Sequence, residues 1–185
     1  MQLDKVQPKN KTQLKQLINY AFKHNIYDLN FIDTSKITDM SLLFINCMRN
    51  FDVSEWDVSN VKDMKSMFSR CIKFNCDLSN WDVHNVEDMC DMFYNCEKFE
   101  GKGFENWDVH NVEDMSGMFN GCINFDCNLS SWNISKVKNM SHMFQDCEKF
   151  EGKGLENWNV SNVINMRDMF DGCTSLKNKP TWYKK

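Results

Sequence analysis

The residues of this 185-residue chain whose types and spacing could do chemistry are nine cysteines, a spaced set of aspartates and two of the four histidines. Asp57, Asp82 and Asp108 each follow a tryptophan, and His84 and His110 stand two residues beyond the second and third of them. Such carboxylates could hold calcium or meet a basic partner, and a histidine near an acid could serve a hydrolase. The Gly-x-Asp repeat of calcium-binding coils is absent. No unique serine or cysteine stands beside the histidines as a nucleophile, so a hydrolase using the His84/His110 column is the remote reading. The cysteines contain no C-x-x-C pair, and Cys71-x4-Cys76, Cys90-x5-Cys96 and Cys122-x4-Cys127 lack partnering histidines, against zinc. Gly101-Lys102-Gly103 and Gly152-Lys153-Gly154 are too short for a phosphate loop. The expectation is a chain with no catalytic residues, no metal and no cofactor.

What positions these residues is a repeat. Trp56, Trp81, Trp107, Trp132, Trp158 and Trp182 are all six tryptophans of the protein, spaced 25, 26, 25, 26 and 24, and Ile32 extends the series backward by 24. Methionines (Met40, Met64, Met89, Met115, Met140, Met166), phenylalanines (Phe44, Phe68, Phe93, Phe119, Phe144, Phe170) and cysteines (Cys47, Cys71, Cys96, Cys122, Cys147, Cys173) keep the same step. A fixed period in this range signals stacked repeats and overrides local assignments. Asn75 to Trp81 matches Asp126 to Trp132, and the two Gly-Lys-Gly loops match each other, so coils alternate and a 51-residue pair is duplicated. The recurring cysteines, methionines and phenylalanines read as core, the cysteines as small buried hydrophobes.

Within a coil, Leu78, Trp81, Val83 and Val86 alternate with polar residues as in a short strand with one inward face. Met89, Met92, Phe93 and Cys96 then lie at i, i+3, i+4 and i+7, the stripe of a helical turn. Asp39, Asp63, Asp88, Asp114, Asn139 or Asn165 precedes each such turn, and Asp and Asn are equivalent N-caps. The predicted fold is therefore an α/β repeat, a leucine-rich-repeat-like solenoid of about six coils of 24 to 26 residues, each a short parallel strand plus a short helical turn. An amphipathic helix over Thr12 to His24 caps the first coil, and Trp182 and Tyr183 close the other end. The divisions are residues 1–27 for the N-terminal segment with its capping helix, 28–180 for the six coils, and 181–185 for the C-terminal cap and tail.

The formal charge is −4, with no basic stripe for phosphate contacts, so nucleic acid is not an expected partner. No run of eighteen apolar residues exists and the start from Met1 to Pro8 has no apolar signal-peptide core, so membrane insertion is not expected either. Residues 1–121 carry 13 basic and 19 acidic side chains, and 122–185 carry 9 and 7. This imbalance reads as a charge polarisation along the stack that could orient it on a partner or favour head-to-tail packing through its ends.

Leu78-x-x-Trp81-x-Val83 followed by Met92-Phe93-x-x-Cys96 resembles the BspA-like leucine-rich repeat family. The variant read at Trp56 to Val61 and Asp63 to Phe68 is similar to the repeat first catalogued in mycoplasma surface proteins. Leu29 to Met40 resembles that family's first coil, and the resemblance covers about residues 28 to 182. It implies a surface protein of adhesive type that binds another protein without catalysis. Similar repeats occur in protists and large DNA viruses, and the lack of a signal peptide with free cysteines points instead to a cytoplasmic or virion-associated scaffold. The polar positions repeated on one surface, Asp57, Asp82, Asp108, His84 and His110, are the expected partner-binding face.

Overall fold

A computed structural model describes residues 5–184; Met1 to Asp4 and Lys185, at the outer limits of the first and last expected segments, lie outside the described residues. The one α-helix among the described residues, α1 (Lys11–Lys23), forms where the sequence predicts one. Asn10 caps it by accepting the Gln13 N–H at 3.0 Å, and Gln13 returns a bond to the Lys9 N–H at 2.8 Å. It stops at Asn25, which takes φ 57°, while the Ile26 N–H reaches the Ala21 carbonyl at 2.8 Å and the Asn25 N–H reaches that of Phe22. That pair of bonds is a Schellman closure, with asparagine in the left-handed position that glycine more often fills.

The coils themselves are neither strand nor helix, and the predicted leucine-rich-repeat-like α/β architecture is overturned. Among the described residues the one helical piece apart from α1 is a 3₁₀ turn at Phe104–Asn106, and pairing consists of isolated parallel bridges, with no sheet. Each coil is instead a string of four-residue turns. In the third coil, the N–H of Trp81 bonds the Leu78 carbonyl, Val86 that of Val83, Met92 that of Met89, Cys96 that of Phe93, and Phe99 that of Cys96, all at 2.9 to 3.2 Å. In this coil the first and fourth residues of each of these turns are the buried ones. Two consecutive turns therefore place apolar residues at i, i+3, i+4 and i+7, the same pattern as two turns of helix. What separates them is the third residue: Asp91 and Asn95 take φ 53° and 55°, and the equivalent residues of every coil are likewise left-handed. Positive φ at the third position is the signature of a type II turn and is incompatible with a continuing α-helix.

These left-handed residues aim the peptide groups along the stack. Met40, Leu42, Phe44 and Asn46 donate their N–H groups to the carbonyls of Asp63, Lys65, Met67 and Ser69 one coil ahead. The N–H groups of Met64, Ser66, Phe68 and Arg70 pass on in turn to Asp88, Cys90, Met92 and Tyr94. The same four-rung pattern repeats from Met89 to Asp114, from Met115 to Asn139 and from Met140 to Asn165. Since Asp63 C=O and Met64 N–H belong to one peptide group, each rung is a link in a hydrogen-bonded chain crossing all six coils. Adjacent coils thus satisfy each other's backbone, which no coil could do alone.

The interior is filled by the columns. Phe44, Phe68, Phe93, Phe119, Phe144 and Phe170 form one stack, with successive ring centroids 5.5, 5.3, 6.0, 5.7 and 5.8 Å apart and planes within 16° of parallel. Each fully buried phenylalanine contributes on the order of 1.5 to 3 kcal/mol. Every tryptophan of the column donates its indole N–H to a carbonyl of the preceding coil, Trp81 to Val53 and Trp107 to Leu78 among them, at 2.7 to 3.2 Å. The column cysteines do the same through Sγ, from Cys71 to the Phe44 carbonyl through to Cys173 to that of Phe144. Helix α1 covers one end with Leu14, Ile18 and Ala21, and Phe22 packs 5.6 Å from Phe51. Trp182 and Tyr183 cover the other end over Phe170.

Candidate binding surface

Asp57, Asp82 and Asp108 come one per coil, each just ahead of a turn, and each side chain has a local task. Asp82 Oδ1 accepts the His84 N–H at 3.3 Å, Asp108 that of His110 at 3.2 Å, and Asp57 that of Ser59 at 3.0 Å. These are Asx turns, in which a side-chain oxygen satisfies an N–H that the turn leaves unpaired. Asn133 and Asn159 make the same bond to Ser135 and Ser161, since only the oxygen acceptor is needed. The residues expected as N-caps act alike: Asp88 accepts from Cys90 at 2.8 Å, and Asn165 from Arg167 at 3.1 Å. With no helix to cap, the Asp/Asn equivalence reports the Asx turn instead.

Both histidines fold back on their own aspartates, with His84 Nδ1 2.7 Å from Asp82 Oδ1 and His110 Nδ1 2.9 Å from Asp108 Oδ1. The side chains of Asp82 and Asp108 remain 59% and 60% exposed, and those of His84 and His110 41% and 38%. The turns of neighbouring coils are tied by Asn85, which donates to the Ser59 carbonyl, and Asn111, which donates to that of His84, both at 2.7 Å. The five predicted residues therefore lie on one ordered column, each held by its own turn. Among the described residues, no group of three or more His, Cys, Asp or Glu side chains converges as a metal ion requires.

Two depressions lie away from this column. One of about 410 Å³ runs along Asp28, Asp52 and Asp77, and another of about 690 Å³ lies between the Gly101–Gly103 loop and Asp126–Asn128. Gly103 is fixed there by geometry, because at φ 91° an added Cβ would run into the backbone nitrogen of Ser79.

A second acidic column is electrostatically stressed. Burial pushes the Asp88 carboxyl above its ordinary value, with Asp63 and Asp114 adding to the effect. Asp39, at the start of that column, goes the other way: burial would raise it, but bonds from Lys11 and Ser41 outweigh burial and hold it low. Burial also raises the thiols, Cys71 and Cys76 to about 12 and Cys90 to about 11. All nine cysteines are unpaired.

Sequence reading missed the left-handed strip and the Asx turns. The signal for the first is visible in retrospect, since eight of its twelve left-handed residues are Asn, Asp or Gly: Asn46, Asp91, Asn95, Gly117, Gly121, Asp146, Asp168 and Gly172. These are the residue types that visit positive φ most readily.

No helix among the described residues is long and apolar enough to cross a membrane. No curated protein and no solved structure matches the chain. A family model does match, twice in tandem over residues 12–105 and 101–184, so that nearly the whole chain is covered. The chain belongs to the family described as Mycoplasma protein of unknown function, DUF285.

Proposed function

We propose that the chain is a non-enzymatic protein-binding module of surface or adhesive type, whose contact face is the column of Asp57, Asp82, Asp108, His84 and His110. The observation that carries this reading is the regularity of the column: exposed, chemically alike side chains recur once per coil at positions fixed by Asx turns and inter-coil bonds. Ordering costs are met before binding, which leaves more interaction energy for a partner. The resemblance of Leu78 to Val83 and Met92 to Cys96 to BspA-type repeats supports binding over catalysis. The acidic column suits a partner surface rich in lysine and arginine.

The test uses residues the chain itself offers at equivalent positions. Asp57→Asn, Asp82→Asn and Asp108→Asn, combined with His84→Ser and His110→Ser, turn the column into that of the last coils and keep every Asx acceptor. Quantitative capture from the native source by the wild-type and five-fold variant chains should differ in the retained partner. Equal capture by both chains rejects this face. Turnover of an ester substrate that disappears with His84→Ser would instead favour a hydrolase built on the Asp82–His84 pair.

A further inference from the structure

The four-rung backbone strip ends differently at the two ends of the stack, and independently of the contact face above it suggests a partner. In the last coil the N–H groups of Met166, Asp168, Phe170 and Gly172 are the equivalents of those that donate onward in every earlier coil. No acceptor among the described residues meets them. In the first coil the carbonyls of Asp39, Ser41, Leu43 and Ile45 are the equivalents of those that accept in every later coil, and no donor among the described residues meets them. Among the described residues the end caps make no hydrogen bond to these eight groups, although Phe170 itself is buried beneath Trp182 and Tyr183. Helix α1 packs over the apolar interior, and its one polar reach into the strip, Lys11 Nζ, goes to the side chains of Asp39 and Ser41 rather than to their carbonyls. At the far end Trp182 and Tyr183 sit over Phe170, with the Trp182 indole spent on the Leu155 carbonyl.

We propose that copies of this chain stack head to tail, the donor strip of one last coil meeting the acceptor strip of the next copy's first coil. The two strips match in register because both are copies of the repeat that already pairs within the chain. Tail-to-tail pairing is disfavoured, since it would set donors against donors. The neighbouring side chains agree. Lys62 pairs with Glu87 and Lys138 with Glu113 along one column beside the strip, so its charges are satisfied inside the chain. The two ends of that column are uncharged: Thr38 in the first coil and Ile164 in the last, the latter 86% exposed. Leu42 and Ile45 are also exposed on the first coil, at 45% and 43%, so the junction covers apolar surface from both copies. Side-chain charge does not set the orientation, since residues 1–50 and 159–185 are both net basic; the register of the two strips does. A contact that joins different surfaces without closing a ring grows into an open filament.

The experiment is sedimentation velocity of the whole chain across a concentration series, with Leu42→Lys altering the head and Ile164→Lys altering the tail. Both side chains are exposed, so thermal melts matching wild type establish that the variants fold. Wild type should show mass rising with concentration beyond the dimer, and each variant alone should stay monomeric. An equimolar mixture of the two variants should form dimers and nothing larger, because it restores one native junction per pair. A wild-type chain monomeric up to about 1 mM, the weakest association worth calling specific, overturns the proposal. So does a variant that dimerises by itself, which would mean a two-fold contact, or a mixture that remains monomeric.

Discussion

Asp88 carries the clearest conflict at the scale of one residue. Its Oδ1 is required by the Cys90 N–H, yet its charge is half-buried between Asp63 and Asp114. Asn139 and Asn165 show that the column accepts a neutral amide with the same acceptor. Asp88→Asn should therefore raise the urea midpoint at pH 7, by about 0.2 to 1 kcal/mol for relief of like charges one rung apart. Because the folded carboxyl titrates above its unfolded value, the difference between variant and wild type should shrink as pH falls through the folded value toward the unfolded one, below which Asp88 is protonated in both states. A difference that persists unchanged at low pH would contradict the electrostatic cause.

Cys71 makes the opposite end of the pH scale informative. Its thiol is buried against the Phe44 carbonyl and titrates at about 12 in the fold, against 9.0 when free. Below the unfolded value both states are protonated and nothing is lost. Between pH 9 and 12 the unfolded chain sheds the proton first, so stability should fall by up to about 1.4 kcal/mol per pH unit for that thiol. Denaturant midpoints of wild type and Cys71→Ala at pH 7 and 10.5 measure it, with the variant losing less on the alkaline side. Native thiols should also resist alkylation at pH 8 until the chain is unfolded, since the thiolate is the reactive species.

At the scale of the element, the spacing of apolar residues was fully legible and their conformation was not. Met89, Met92, Phe93 and Cys96 are the inward corners of two turns, and over eight residues a period of four cannot be told from 3.6. The deciding residues are Asp91 and Asn95, whose preference for positive φ works against helix, but whose charge and polarity also suit a helix's outer face. Leu78, Trp81, Val83 and Val86 misled in the same way, reading as alternation when they are the paired corners of consecutive turns. The aspartate column was found because it repeats, while its Asx bonding stayed hidden because a carboxylate on a surface looks the same whether it faces solvent or its own backbone. The turn reading has its own check. Gly103→Ala should cost more than about 2 kcal/mol, because the added methyl meets the Leu78–Ser79 backbone of the preceding coil. An exposed glycine such as Gly172, whose nearest obstacle is the Asp146 side chain, should tolerate alanine better. Comparable thermal melts for the two variants would mean the loop is not wedged against its neighbour.

For the whole molecule, the repeat decides stability through contacts between coils, so damage should spread along the stack. Trp107→Phe removes one indole N–H from the Leu78 carbonyl and leaves a gap in the interior, a loss of about 2 to 4 kcal/mol. Amide hydrogen exchange should show protection falling in the coils on both sides of residue 107 while α1 changes less; loss confined to one coil would argue against coupled stacking.

The alignment of the strip has a further electrical result. In an α-helix the peptide dipoles place their positive end at the N-terminus. Here the N–H groups of four parallel chains of peptides all face the C-terminal coil, so the sense is reversed along the sequence. The last coil acts on nearby ions as the beginning of a helix would, and the first coil as the end of one. Lys11 sits where that arrangement favours a cation, 2.7 Å from Asp39 beside the carbonyl end. With residues 1–50 and 159–185 both net basic, the backbone rather than the side chains distinguishes the two ends, and the molecule should turn in an electric field more strongly than its side-chain charges alone require.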